Sequence, residues 1–270
     1  MAHKIITLLT DFGLADPYVG VMKGVMIRLN PDLVFIDITH TIEPGDISRA
    51  GFRLFTAYKY FPSSTIHLVV VDPGVGSSRN PIIVETKDYY FVGPDNGVFS
   101  WIYAKEKIKV YKINLNLINP KKLSHTFHGR DVFAPISAEL SLGTPAYELG
   151  EEINKWVKFE IPIPKITKNK IIGEVIDIDR FGSLITNISK TELYTIISGK
   201  QKFELKIKGE RKEITICELK TCYEGKSPVL MSTPIAILGS AGFLEIALPN
   251  GNCAELLEAK IGTLLSIRKL

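Results

Sequence analysis

The segment at residues 66–71 constrains the fold of this chain more than any other part of the sequence. Its six residues are apolar apart from His67, and Asp72-Pro73-Gly74 follows at once. A strand with apolar side chains on both faces has to be covered on both sides, which is typical of a parallel sheet packed between helices. The segment therefore predicts a layered α/β arrangement around a buried strand.

The rest of the first part of the chain alternates between predicted strands and predicted helices. Apolar residues at helical spacing predict one helix that Asp16 caps before Pro17, and a second that Asp46 caps. Asp95 is expected to cap a short later helix. This alternation predicts an α/β domain over residues 1–160 with a central, mostly parallel sheet. The predicted strands are residues 4–10, 33–38, 66–71, 82–85, 90–92 and 108–113.

The pattern changes after Trp156. The segment Ile161-Pro162-Ile163-Pro164 cannot form a helix, and it predicts an extended linker. Beyond it, short alternating strands follow one another closely, with one helix predicted at residues 253–259. This pattern predicts a smaller, all-β, barrel-like domain over residues 168–270. Its predicted strands are residues 171–178, 184–188, 202–207, 213–219, 234–238, 243–247 and 264–268.

Charge and composition argue against several classes of protein. The 33 basic and 29 acidic residues give a net charge of +4, and the basic residues form no stripe of the kind that nucleic acid requires. No apolar run approaches the ~18 residues of a membrane span. The three cysteines, Cys217, Cys222 and Cys253, lack metal-ligand spacing and fit a reduced cytosol. We therefore expect a cytoplasmic protein that binds neither nucleic acid nor a membrane.

Polar residues follow three of the predicted strands, at the point where each strand ends. Asp11 follows the first strand, His40 the second and Asp72 the third. Ligands of open α/β sheets bind beyond the carboxyl ends of the strands. Each of these residues could serve only a turn, but their convergence at one edge predicts a binding site.

His128 lies in a second polar segment, ahead of a helix predicted at residues 131–142. Brought together, Asp72, Arg79 and His128 could orient and polarise a water molecule. Asp11, Asp16, Asp72 and His128 could alternatively converge on a metal ion, but no pair of histidines has ligand spacing. We expect no metal site.

Six segments together resemble the S-adenosylmethionine (SAM) hydroxide adenosyltransferases, or SAM hydrolases, which are relatives of the fluorinase and chlorinase. They occur in the family's order and span nearly the whole chain. The segments are Leu9-Thr10-Asp11-Phe12-Gly13 with Asp16, Val71-Asp72-Pro73-Gly74-Val75-Gly76 with Arg79, Gly93-Pro94-Asp95-Asn96-Gly97, Thr126-Phe127-His128-Gly129-Arg130-Asp131, Asp179-Arg180-Phe181-Gly182 with Thr186-Asn187-Ile188, and residues 239–247 followed by Gly251-Asn252.

The resemblance implies that water attacks the ribose C5′ carbon of SAM and releases adenosine and L-methionine, without a metal or another cofactor. Asp72, Arg79 and His128 match the triad of the water-using branch. The halide-using relatives have Tyr at the position of Asp72, and the fluorinase has Ser at that of Gly129. We expect His128 to take the proton from the water, although the sequence leaves the ranking of the three roles open. A SAM halogenase, a nonenzymatic adenosine- or SAM-binding protein and a metal-dependent hydrolase are the alternatives.

The resemblance also implies a set of residues that bind the substrate. Asp11 would bind the ribose 2′ and 3′ hydroxyls, Asp179 the methionine ammonium and Ser240 the methionine carboxylate. Phe181 and Tyr223 match the positions whose side chains stack on adenine in the family. The remaining residues of the predicted set are Asp16, Phe127, Gly129, Ser183 and Asn252.

Two further implications concern departures from the family and its assembly. Ser183 replaces an Asn that is usual in the family, and Gly45 stands where the fluorinase has an aromatic lid residue. The family forms homotrimers in which each active site lies at a subunit interface, between the first domain of one subunit and the second domain of its neighbour. The only other expected partner is the small-molecule substrate.

Overall fold

The computed structural model describes residues 4–118, 123–197, 202–223 and 233–270. The chain divides into two compact units, Met1–Ile161 and Pro162–Leu270. Each unit has its own sheet and its own hydrophobic core.

The first unit is built on a seven-stranded mixed sheet. Its strands are β1 (Ile5–Thr10), β2 (Val34–Thr39), β3 (Ile66–Val70), β4 (Pro81–Glu85), β5 (Tyr90–Pro94), β6 (Lys109–Ile113) and β7 (Gly150–Ile153). They are ordered β2-β1-β3-β5-β4-β6-β7 across the sheet. Strands β2, β1, β3 and β5 pair in parallel, and β4 and β7 run opposite to the rest. The predicted α/β class is confirmed, and β7 is a strand that the sequence analysis missed.

Helices cover both faces of this sheet. They are α1 (Tyr18–Leu29), α2 (Ile47–Ala57), α3 (Ser100–Tyr103), α4 (Ala134–Ser141) and α5 (Ala146–Leu149), with short 3-10 helices at Tyr58–Tyr60 and Leu115–Leu117 and a π-helix at Gly129–Phe133. One core contains residues of α1 and α4, and the other contains residues of α2 and α3.

Strand β3 and the residue that follows it contribute to both cores. Ile66, Leu68 and Val70 pack on the side of α1 and α4, whereas Val69 and Val71 pack on the side of α2 and α3. This alternation is the period-two pattern of a strand buried on both faces. The expectation from residues 66–71 is confirmed.

The predicted helix caps have different outcomes. The Asp46 carboxylate accepts the Arg49 backbone N–H at 3.0 Å, so it caps α2 as predicted. The cap predicted for Asp16 is wrong, because Pro17 occupies the N-cap position of α1. The cap predicted for Asp95 is also wrong. Four residues lie between Asp95 and α3, and the Asp95 carboxylate instead accepts the Val157 backbone N–H at 2.8 Å.

The second unit is built on a nine-stranded sheet that curls into a half-barrel. The strands are β8 (Lys165–Ile166), β9 (Lys170–Ile178), β10 (Leu184–Ser189), β11 (Phe203–Lys208), β12 (Glu213–Ile216), β13 (Leu219–Lys220), β14 (Ile235–Leu238), β15 (Phe243–Ala247) and β16 (Leu264–Lys269). Eight of them follow the order β12-β11-β16-β9-β10-β15-β14-β13, and β8 pairs with β9. Strand β10 changes register against both of its neighbours, and such irregularities bend a sheet.

Among the described residues of this unit, two helices accompany the sheet, α6 (Lys190–Ile196) and α7 (Cys253–Leu257). The second was predicted and the first was missed. A capping box marks the start of α6, in which the Ser189 and Glu192 side chains each accept a backbone N–H from the other residue. This Ser-x-x-Glu pattern is visible in the sequence and could have predicted the helix.

His67 is a fully buried histidine on β3, with Thr7 of β1 on one side and Phe91 of β5 on the other. Its Nδ1 lies 2.7 Å from the Thr7 hydroxyl, and its ring stacks on Phe91 with centroids 5.0 Å apart. Burial lowers the pKa of His67 to about 3. The ring is therefore neutral in the folded chain at every pH at which the protein would be handled.

This burial predicts an acid sensitivity. In the unfolded chain a histidine has a pKa of about 6.5, so the unfolded state takes up the proton first and stability falls as the pH drops below that value. Relative to a His67→Leu variant, the wild-type chain should lose about 2 kcal/mol of its free energy of unfolding between pH 7.5 and pH 5. Urea unfolding at both pH values measures this difference. Equal losses in the two proteins would contradict a buried, neutral His67.

Candidate active site

The carboxyl ends of three adjacent parallel strands meet at one edge of the first sheet. Strand β1 lies between β2 and β3, with Leu9 opposite Thr39 and Thr10 opposite Val70. Asp11, His40 and Asp72 follow these strand ends. The predicted convergence at this edge is therefore confirmed.

Arg79 joins Asp72 to His128. The Arg79 Nε donates to Asp72 Oδ1 at 2.9 Å, and its Nη2 donates to Asp72 Oδ2. The same Nη2 lies 2.8 Å from His128 Nδ1. The side chains of Arg79 and Asp72 are 9% and 5% exposed, and a two-bonded arginine–carboxylate pair in such surroundings has a fixed geometry. The three residues named from the sequence thus form one hydrogen-bonded cluster.

The Arg79 contact fixes the proton position on His128. A guanidinium group has only donors, so His128 Nδ1 has to be the acceptor in this bond. Burial and the Arg79 charge lower the pKa of His128, and the charges of Asp72 and Asp131 oppose this shift only in part. His128 is therefore a neutral imidazole with its proton on Nε2. In this state its Nε2 can donate a hydrogen bond but cannot accept a proton.

The π-helix that begins at Gly129 holds His128 in place. A Cβ atom on Gly129 would come within 3.1 Å of Met22 Sδ and of the Phe127 ring, so glycine allows the helix to pack closely there. The Arg79 guanidinium lies 5.3 Å from the centre of the Phe133 ring, in the same helix. π-Helices are rare and frequently lie at functional sites. This one starts directly after His128 and places Phe133 against Arg79.

Asp11 is tied to the loop that follows β2. Its Oδ2 accepts the Gly45 backbone N–H at 2.8 Å, and Gly45 has a φ of +77°, which favours glycine. Burial raises the pKa of Asp11, as does the charge of Asp72, while the Gly45 bond opposes the shift. Asp11 and Asp72 are thus near enough to interact. Gly45 contributes a backbone donor at the position where the fluorinase has an aromatic residue.

Two other predicted residues of this unit lie beside Asp11. Asp16 is exposed, and it follows the Asp11 loop without capping α1. Phe127 forms an aromatic cluster with Phe12 and Tyr18, with ring centroids 5.2 to 5.9 Å apart. Phe127 therefore links the Asp11 loop to the segment that carries His128.

In the second unit, Asp179 organises the turn between β9 and β10. Its Oδ1 accepts the backbone N–H groups of Phe181 at 2.9 Å and Ser183 at 2.8 Å. The turn leaves the Phe181 side chain 78% exposed, whereas Ser183 is buried. Gly182 has a φ of +80° and packs directly against the Asn252 side chain, which caps α7. The turn therefore offers an exposed aromatic ring beside a carboxylate.

Tyr223 is paired with a carboxylate that the sequence analysis did not consider. Its hydroxyl donates to Glu245 Oε2 at 2.9 Å. Glu245 is 6% exposed on β15, and its pKa is raised by burial and by the charge of Asp179. Ser240 is exposed in the turn that precedes this strand. A charged residue within the apolar segment Phe-Leu-Glu-Ile-Ala could have indicated Glu245 from the sequence.

The cluster around Arg79 lies outside one large cavity of the first unit. A cavity of about 1090 Å³ is lined by residues such as Arg28, Arg130 and Glu139, and none of the triad residues lines it. In the described ranges, no group of three or more His, Cys, Asp and Glu side chains could hold a metal ion. No helix in the same ranges is long and apolar enough to cross a bilayer.

The geometry predicts how the pKa of His128 responds to its neighbours. In the wild-type chain this pKa should lie below 6.5, and in an Arg79→Gln variant it should rise. The reason is that the variant removes a positive charge and leaves Asp72 without its partner. NMR titration of the histidine Cε1–H signals measures both values, and the signal that is lost in His128→Gln identifies His128.

A charge-matched variant controls this comparison. Lys109→Gln also removes one positive charge, from an exposed position on β6, and should leave the pKa of His128 unchanged. An equal or lower pKa in Arg79→Gln would show that the Arg79–His128 bond is not formed in solution.

Comparisons with known proteins point to one family. The family model of the SAM hydroxide adenosyltransferase N-terminal domain matches residues 6–150, and that of the C-terminal domain matches residues 173–266. A curated (R)-S-adenosyl-L-methionine hydrolase of Methanocaldococcus jannaschii is 40% identical over 94% of this chain and 91% of its own length. A fluorinase of Nocardia brasiliensis is 23% identical over 98% of this chain and 97% of its own length.

A solved structure has the same fold over nearly the full length. The crystal structure of an uncharacterised conserved protein from Thermotoga maritima matches with a TM-score of 0.88 and 37% identity, over 97% of this chain and 99% of that chain. The expected relationship to the SAM hydrolases is therefore confirmed. This chain belongs to the SAM hydroxide adenosyltransferase family.

Proposed function

We propose that this enzyme hydrolyses SAM to adenosine and L-methionine, and that it acts on the (R)-sulfonium epimer named for its relative. The observation that carries the proposal is the Arg79 guanidinium bonded to both Asp72 and His128, in a chain of this family. Such a cluster at the carboxyl edge of the sheet can hold a water molecule in a fixed orientation.

The chemistry of the leaving group explains why so few catalytic groups are needed. A new bond forms between the water oxygen and C5′ of the ribose, while the C5′–sulfur bond breaks and its electron pair stays on sulfur. The sulfonium leaves as a neutral thioether, so it needs neither a general acid nor a metal. The proposal therefore includes no cofactor.

The nucleophile needs one donor and one acceptor. His128 Nε2–H can donate to the water oxygen, and so can Arg79 Nη1, which is buried without a partner among the described residues. The proton released on attack goes to Asp72, whose oxygens each keep a lone pair beyond their bond to Arg79. We propose this division of roles in place of a His128 base, because His128 Nδ1 is occupied by Arg79.

The proposed substrate-binding residues come from both units of the chain. Asp11 would accept the ribose hydroxyls, as one carboxylate can from a vicinal diol, and Asp179 would pair with the methionine ammonium through its remaining oxygen. The exposed ring of Phe181 and that of Tyr223 would contact adenine. Ser240 would bind the methionine carboxylate. The rest of the proposed set is Asp16, Phe127, Gly129, Ser183 and Asn252.

We also propose that the protein is a cytoplasmic homotrimer with its active sites at subunit interfaces. Two observations support the assembly: Leu14 beside the Asp11 loop is 76% exposed, and Phe181 is 78% exposed. Both side chains are therefore accessible to a neighbouring subunit. The exposed free thiol of Cys217 fits a reducing compartment.

Turnover of a SAM sample that contains both sulfonium epimers tests the function. In halide-free buffer with EDTA, the enzyme should convert the (R) epimer to adenosine and methionine and leave the (S) epimer. Asp72→Asn should lower kcat by about 10²- to 10⁴-fold, because it removes the proton acceptor. Chromatography of both products against time measures this, and His125→Ala serves as a control that alters an exposed histidine of the same segment.

Other outcomes point to other functions. Product formation only with added halide would indicate a halogenase, and tight adenosine binding without turnover would indicate a binding protein. Loss of activity on chelation would indicate a metal enzyme. Full activity of Asp72→Asn would contradict the proposed mechanism.

The role of His128 can be separated from that of a base. A glutamine retains an N–H donor near the position of Nε2 but cannot accept a proton at neutral pH. His128→Gln should therefore keep at least about tenfold more activity than His128→Ala. Equal loss of kcat in the two variants would favour a His128 base.

A further inference from the structure

His40 contacts Thr10, Gly13 and Asp37 around the loop that carries Asp11. The proposed function gives His40 no role. Its Nδ1 lies 2.9 Å from the Thr10 hydroxyl, and its backbone oxygen accepts the Gly13 N–H at 2.8 Å. Its Nε2 lies 3.1 Å from Asp37 Oδ1 on β2. His40 is 4% exposed, so these contacts are made away from water.

The contacts of His40 determine which of its ring nitrogens carries the proton. Its Nε2 faces Asp37 Oδ1 at 3.1 Å, a contact without hydrogen-bond geometry, and a carboxylate attracts an N–H rather than a lone pair. In the neutral ring Nδ1 then accepts the Thr10 hydroxyl proton, while Thr10 Oγ1 accepts the Phe12 backbone N–H at 3.2 Å. Asp37 also accepts from Lys23 at 2.7 Å, and the contacts with Lys23 and His40 lower the pKa of Asp37 despite its partial burial.

These bonds fix the residues on both sides of Asp11. Phe12 is held by Thr10, and Gly13 is held by the His40 backbone, while Asp11 Oδ2 accepts from Gly45 in the loop that follows His40. A register shift between Leu8 and Leu9 lies directly before this turn, and such a bulge redirects the end of a strand. The turn therefore depends on His40 for its orientation.

We propose that Asp37, His40 and Thr10 form a positioning chain that orients the Asp11 carboxylate toward the two ribose hydroxyls of the substrate. The proposal rests on the proposed function, since it takes Asp11 as the residue that binds the ribose. None of the three residues touches the substrate. A purely structural role for His40 would affect every ligand alike, whereas a positioning role affects only ligands that carry the hydroxyls.

Calorimetric binding of adenosine and of 2′,3′-dideoxyadenosine to the full-length chain separates these roles. The wild-type chain should bind adenosine at least about tenfold more tightly than the dideoxy compound. Thr10→Val removes the hydroxyl at nearly constant volume, and it should weaken adenosine binding about tenfold with dideoxyadenosine binding unchanged. Thr10→Ser restores a hydroxyl and should recover most of the affinity.

A second pair of variants carries little risk of misfolding, because it alters Asp37 and Lys23, whose side chains are partly exposed. Asp37→Ala and Lys23→Ala both break the Asp37–Lys23 ion pair, but only Asp37→Ala removes the carboxylate that faces His40 Nε2. Asp37→Ala should weaken adenosine binding about threefold, and Lys23→Ala should not change it. In an Asp11→Ala background, neither Thr10→Val nor Asp37→Ala should have a further effect.

The outcomes distinguish this inference from the proposed function. If the wild-type chain discriminates between the two ligands and Thr10→Val and Asp37→Ala keep the same discrimination, the positioning chain is wrong and the function stands. Equal weakening of both ligands by these variants would also overturn it. If the wild-type chain does not bind adenosine, or binds both ligands equally, the proposed role of Asp11 fails together with the inference.

Discussion

The parallel pairing of β1 with β2 on one side and β3 on the other is the constraint on which the rest of the first unit depends. It places three carboxyl strand ends side by side, and each ends in a polar segment: Asp11, His40 and Asp72. The pairing is possible because β3 is apolar on both faces and is covered by helices on each. The same burial keeps His67 neutral within the sheet. A change of one residue in register would turn every one of these side chains to the opposite face.

At the carboxyl edge of this sheet, the Arg79 guanidinium determines which atoms of the proposed water-binding site can donate and which can accept hydrogen bonds. Arg79 donates to Asp72 and His128 at once, so Asp72 keeps its negative charge paired while His128 has to offer a lone pair at Nδ1. The site then presents a donor at His128 and an acceptor at Asp72. Hydrolysis of a sulfonium asks for no more, because the leaving group departs neutral. In the proposed mechanism the main contribution of the site is to place the water in line with C5′ and sulfur, an effect that reaches about 7–11 kcal/mol in well-oriented systems.

The sequence predicts most of the fold and the identities of the triad, but not how the triad is bonded. Residues 66–71 and the Asp46 cap follow from local patterns, and the structure confirms both. Asp16 carries the same local pattern, but Pro17 takes the cap position, so the prediction there is wrong. The Gly45 bond to Asp11 and the Arg79 bond to His128 join residues 34 and 49 positions apart. Only the assembled sheet brings such pairs together. For this reason the sequence predicts His128 as the base, whereas its hydrogen bond to Arg79 favours a donor role.

The central claim is that solvent water attacks the ribose carbon directly. A single turnover in H₂¹⁸O, with enzyme in excess over (R)-SAM, followed by mass spectrometry of the adenosine, tests it most directly. The account predicts ¹⁸O in the 5′ hydroxyl of the first adenosine formed and none in the Asp72 carboxylate. Adenosine that carries ¹⁶O after the first turnover, with ¹⁸O in Asp72, would show that the Asp72 carboxylate attacks C5′ and that water only hydrolyses the resulting ester.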